Sequence, residues 1–106
     1  MTDDAAIEAQ LGALRERFRN RLESYRERLL VIRNEIAFAS GADPIRRLKT
    51  LAHELAGSAG SLGFAEIGET AAALEQAADR VLDGSDEPAI VIMPMRQLIR
   101  EVEFSR

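Results

Sequence analysis

An apolar stripe that starts at Ile7 continues through Leu11, Leu14, Phe18, Leu22, Tyr25, Leu29, Ile32 and Ile36, always at steps of three or four residues. Charged residues fill the positions between, and from Ala13 to Ser40 there is neither glycine nor proline. That period predicts one long amphipathic helix over about residues 5–39, ended by Ser40, Gly41 and Ala42. Asp43 followed by Pro44 then reads as an N-cap with proline at the first helical position, opening a helix over about 44–62 that Gly63 stops. Phe64 begins a third segment, about 64–83, with Ile67, Ala71, Leu74, Ala78 and Val81 or Leu82 on one face, ending at Gly84-Ser85-Asp86. A fourth covers about 88–104, with Leu98, Ile99 and Val102 inward and Pro94 bending or restarting it. Ile90-Val91-Ile92-Met93 is β-like in composition, but no second strand exists to pair with it.

The expected architecture is all-α, an antiparallel four-helix bundle formed by residues 1–106 as a single domain. One length does not fit. A helix over 5–39 would reach on the order of 50 Å, against roughly 25–30 Å for the others. Two consecutive steps of four, Leu14 to Phe18 to Leu22, suggest a bend near Arg19–Arg21 that lets the N-terminal part cap the bundle. With that bend the chain is expected to be a monomer. Without it Ile7, Leu11 and Leu14 would be exposed and would favour dimerisation.

The second helix carries the chemistry. On a wheel of 100° per residue with Ile45 at zero, Ile45, Leu48, Leu51, Ala52, Leu55, Ala59 and Leu62 fall between about 240° and 360°, an unbroken apolar face. His53, the single histidine, falls near 80°, roughly 140° from the centre of that face. It is therefore expected to point outward. Arg46, Lys49, Ala56, Gly57 and Gly60 share its strip, between about 20° and 120°. Each glycine costs a helix on the order of 1 kcal/mol relative to alanine. Two of them beside an exposed imidazole read as a strip kept bare for the approach of another macromolecule. Lys49 and Arg46 place positive charge beside the ring, suited to an anionic group attached to it.

Composition narrows the classes. The 106 residues contain no cysteine, which excludes disulfides and thiolate metal sites and points to a reducing compartment. No apolar run approaches the roughly 20 residues of a membrane span, and the start Met1-Thr2-Asp3-Asp4 is acidic, unlike a secretion signal. A cytoplasmic protein without a membrane partner is expected. The net charge of −4 argues against nucleic-acid binding. The arginines of the first helix (Arg15, Arg17, Arg19, Arg21, Arg26, Arg28 and Arg33) alternate with Glu16, Glu23 and Glu27, as on a solvated, salt-bridged surface. Metal or haem ligation lacks a second histidine, and Ser58 and Ser61 project to other faces, so no serine triad forms with His53.

The stretch Leu51-Ala52-His53-Glu54-Leu55-Ala56-Gly57-Ser58-Ala59-Gly60-Ser61-Leu62-Gly63-Phe64 resembles the core motif of histidine-containing phosphotransfer (HPt) domains, and Ala71–Ala78 resembles that family's next helix. The specific resemblance spans about residues 45–82. It implies an antiparallel four-helix bundle in which His53 accepts a phosphoryl group, through Nε2, from the aspartyl phosphate of one receiver domain and passes it to another. The receivers would belong to response regulators or hybrid histidine kinases. Carried over to this chain, Lys49 supports the phosphoryl group, and Arg46, Ala56, Gly57 and Gly60 form the docking surface. No cofactor of its own is implied; Mg²⁺ comes with the partner receiver, and the chain is a phosphocarrier without an independent active site. Many family members carry lysine where this chain has Ala56. The alternative is a helical docking or regulatory module that binds a kinase or receiver without carrying phosphate.

Overall fold

A computed structural model describes residues 2–38 and 41–106, and among them all regular structure is helical. Helix α1 covers Thr2–Phe38, α2 Asp43–Ser61, α3 Ala65–Leu82 and α4 Ile92–Ser105, with a short 3₁₀ turn over Pro88–Val91 leading into α4. Each helix packs against its neighbour in the chain, and α4 closes the ring on α1. This is the up-and-down bundle expected for amphipathic helices joined by short connections. The expected last residue of the first helix, Ala39, and the break at Ser40 lie outside the described residues.

The core is the set of stripes read from the sequence. Phe18, Leu22, Tyr25, Leu29 and Ile32 of α1 meet Ile45, Leu48, Leu51, Ala52, Leu55 and Ala59 of α2, with Ile67, Ala71, Leu74 and Ala78 from α3. From the last segment Leu98, Ile99 and Val102 are buried as expected, and Val91 and Met95 join them. Val91 explains the β-like run. The 3₁₀ turn folds its side chain into the core, and α4 restarts at Ile92, so that Pro94 sits in the first turn, where its missing N–H leaves no gap.

Local stops follow backbone chemistry. Gly63 takes φ +89° while the Phe64 N–H reaches back to the Ala59 carbonyl at 2.9 Å, the glycine-closed helix end that the sequence called for. Gly84, at φ +83°, ends α3 the same way, with the Ser85 N–H donating to Arg80 at 2.9 Å. The start of α2 differs by one residue from expectation. Ala42 is the N-cap and Asp43 lies inside the first turn, where its carboxylate accepts from Arg47 Nε at 3.1 Å.

The expected bend in α1 is absent. The helix is one element of 37 residues, which spans about 55 Å at 1.5 Å per residue, and the molecule measures 55 × 23 × 18 Å. Arg15 Nε donates to the Leu62 carbonyl at 3.0 Å, which fixes the end of the bundle at the level of Arg15. The described residues before it project past that end: Asp3–Gln10 are exposed throughout, as are Ile7 and Leu14. The N-terminal part does not cap the bundle. The two steps of four only shift the apolar stripe around one helix, which runs unbroken through Gly12 and contains no proline.

Candidate functional site

Antiparallel packing of α2 on α3 builds the site. Moving along α2 from Lys49 to His53 to Gly60 corresponds to moving back along α3 from Asp79 to Glu75 to Gly68, with equal steps on both helices. At the first pair Lys49 Nζ lies 2.6 Å from Asp79 Oδ1. At the second, His53 Nδ1 lies 2.9 Å from Glu75 Oε2. At the third the backbones nearly touch: a Cβ added to Gly68 would sit 3.2 Å from the Gly60 nitrogen and 3.3 Å from its Cα. Any side chain at 68 would press on the Gly60 backbone, so glycine suits that approach.

His53 occupies the middle of α2 with its side chain 75% exposed, against 24% for Glu75. The wheel therefore placed it correctly. A carboxylate at Glu75 can only accept, so the contact places a proton on Nδ1, and in the neutral ring the Nε2 lone pair then faces solvent. The imidazole is aimed by a carboxylate from the neighbouring helix. Beside it, a Cβ added to Gly57 would meet nothing within 4 Å, so the approach to the ring is open on that side.

The rest of the strip is less uniform than the wheel implied. Arg46 is exposed and, with Ala42, Lys49, Thr50 and Leu82, lines a shallow groove of about 440 Å³. Lys49 does not turn to His53. It is held by Asp79, whose hydrogen bond and charge raise the lysine above its ordinary pKa of 10.5, with Glu75 adding to the same effect. Ala56 is half-buried against the core, not part of an open face, because α3 covers that edge of α2. Gly60 is exposed but also serves as the surface on which Gly68 rests. The strip is therefore a seam with basic residues from α2 and acidic residues from α3.

Glu75, Asp79 and Gly68 were not identified from the sequence. The signal was present as an acidic i, i+4 pair on α3 opposite the Lys49–His53 i, i+4 pair on α2, legible only once the two helices are laid antiparallel. Three of the seven α1 arginines named above are ion-paired on the surface. Arg19 pairs with Glu16 at 2.8 Å, Arg26 with Glu23 and Glu103 at 3.5 Å, and Arg28 with Glu54 at 3.8 Å.

The bundle presents one oriented imidazole on an exposed helix face, beside a glycine with open space above it. The family model for the Hpt domain matches residues 7–103, nearly the whole chain, and the protein belongs to that family. Histidine phosphotransfer in phosphorelay signalling, through contacts with receiver domains, is the family's work. No curated protein and no solved structure matches the chain. No helix among the described residues is long and apolar enough to cross a membrane.

Proposed function

We propose that the protein is a cytoplasmic phosphocarrier in which His53 takes a phosphoryl group from the aspartyl phosphate of one receiver domain and gives it to the aspartate of another. The observation that carries this reading is the 2.9 Å contact of His53 Nδ1 with Glu75 on an otherwise exposed ring. The Nε2 lone pair attacks phosphorus, the P–N bond forms, and the acyl-phosphate P–O bond breaks with its electron pair leaving on the receiver's carboxylate. The proton stays on Nδ1. The ring becomes cationic as the bond forms, and Glu75 is placed to stabilise that charge. The chain contributes the oriented acceptor, and the receiver contributes the Mg²⁺ and the pocket that closes over the phosphoryl oxygens.

Gly57 gives that pocket clearance, and Arg46 offers positive charge to the acidic rim of a receiver. Lys49 supports the phosphoryl group by exchanging Asp79 for a phosphoryl oxygen, since a dianion placed near it competes for the same ammonium. A second reading, docking without phosphate, draws on the engagement of Lys49 with Asp79 and on the resemblance, which implies lysine where this chain has Ala56.

One experiment separates the two. The chain is incubated with a phosphorylated receiver and Mg²⁺, and label is sought that is lost in acid and kept in base. The phosphocarrier reading expects such label on wild type and none on His53→Gln. Binding to the receiver without any label supports the docking module instead.

A further inference from the structure

The first three turns of α1 form a helix with no bundle around it. Ile7 is 53% and Leu14 44% exposed, and with Leu11 they extend the spacing that leads into buried Phe18. A lone helix of this length has no packing to hold it and is marginal in water. At its base lies a groove of about 420 Å³ lined by Leu14, Arg17, Asn20, Arg21 and Leu62. Charge is sorted along the same stretch. Asp3, Asp4 and Glu8 occupy the tip, while Arg15, Arg17, Arg19 and Arg21 occupy the base with Glu16 among them. Arg19 is paired with Glu16 and Arg15 with the Leu62 carbonyl. Arg17 and Arg21 have no ion pair among the described residues.

We propose that this arm is a homodimerisation element, in which the arms of two copies pair antiparallel about Leu11. Turning one arm end for end about that residue brings the second copy's Ile7 to the level of Arg15, one residue from Leu14, beside the groove that Leu14 forms with Leu62. The second copy's Asp3 and Asp4 then fall between Arg17 and Arg21. A single arm carries both halves of this match, acid and base, knob and groove, so another copy of the same chain is the occupant that fits. Parallel pairing would set acid against acid and arginine against arginine, which costs free energy at each level. The contact is only an arm wide, below the roughly 800 Å² per partner of a standard interface, so the dimer is weak and concentration-dependent. His53 lies nine residues before Leu62 on α2, about 14 Å along the helix, and stays open in the pair. The assembly therefore presents two separate imidazoles.

Sedimentation velocity over about 10 μM to 1 mM tests the association. The expected result is a rise in mean mass from 11.7 kDa toward twice that value. The rise should weaken as salt is added and be lost in Ile7→Glu/Leu14→Glu, whose bundle keeps its Tm because both side chains lie outside the core. A single 11.7 kDa species throughout, a dimer indifferent to salt, or one that survives the double substitution would overturn the proposal. Orientation is read separately with a spin label on Ala5→Cys, the chain having no other cysteine. Antiparallel pairing about Leu11 puts the two labels on the order of 20 Å apart; a separation near 10 Å means parallel arms and rejects the arrangement. Loss of phosphotransfer in the same variants has no bearing on either readout.

Discussion

At the scale of single residues, His53 depends on Glu75. Hydrogen bonding to the carboxylate selects the Nδ1–H tautomer, and without it the proton is free to move to Nε2, the nitrogen proposed to attack phosphorus. Glu75→Ala is expected to lower the phosphotransfer rate on the order of 10-fold while leaving the bundle folded, since Glu75 sits at the edge of the core. Imidazole ¹⁵N shifts, which distinguish the two tautomers, should move toward the Nε2–H form in the same variant. Unchanged shifts would remove Glu75 from this role. Gly57 makes the opposite kind of test, because clearance and stability pull apart there. A methyl group meets nothing within 4 Å, so Gly57→Ala should stabilise the helix by about 1 kcal/mol, seen as a rise of a few degrees in Tm. Gly57→Phe should also remain folded, yet lose receiver-dependent labelling more than 10-fold, because the ring fills the approach to Nε2. The wheel could locate His53 and Gly57 because outward position is a property of one helix. It could not locate Glu75, since a contact between helices depends on their register.

At the scale of elements, the α2–α3 seam sets that register. The sequence placed both helices and their apolar faces within a residue or two, because burial against any neighbour satisfies the same stripe. It misjudged the strip beside the stripe. Treating α2 as free on that side left Ala56 open and Lys49 available, whereas α3 half-buries the first and pairs with the second. Gly68 is what permits the close approach. In Gly68→Val the branched side chain meets the Gly60 backbone, which cannot rotate away, and the helices must separate. A loss of about 1–3 kcal/mol is expected, despite the better fit of most side chains to a helix. Denaturant unfolding measures it, and stability equal to wild type would show that the seam has slack. The ion pair at the other end of the seam responds to pH. Asp79 raises Lys49 above 10.5 by hydrogen bonding and charge; the charged form is thus favoured in the fold. Its stabilising contribution is complete below 10.5 and is lost as pH rises through the raised value. The Lys49 ε-methylene resonance should titrate above 10.5 in wild type and move back toward it in Asp79→Asn. Coincident titration in the two proteins would show that the pair is not formed in solution.

At the scale of the whole molecule, the long first helix divides into two parts with different partners. From Phe18 onward it is a wall of the bundle. From Asp3 to Leu14 its residues are exposed, Leu11 alone being half-buried. The continuous stripe concealed this division, because exposed Ile7 and buried Phe18 obey the same period. Periodicity records which face of a helix is apolar and says nothing of how far a neighbour extends along it. The length mismatch was the available clue, and a bend was one way to resolve it. The unbroken helix resolves it by projecting. A direct consequence is that stability and arm length are uncoupled in dilute solution, where copies do not meet. Removing residues 1–10 takes away the exposed stretch Asp3–Gln10, so Tm at low micromolar concentration should change by no more than about 2 °C. Labelling of His53 by a phosphorylated receiver should be retained. Phe18→Ala, only a few residues beyond the arm, should by contrast cost about 3–5 kcal/mol, because its ring is fully buried and packs on Phe64 with centroids 5.0 Å apart. A large loss of Tm in the truncated chain at that dilution would mean that the arm folds back onto the bundle after all.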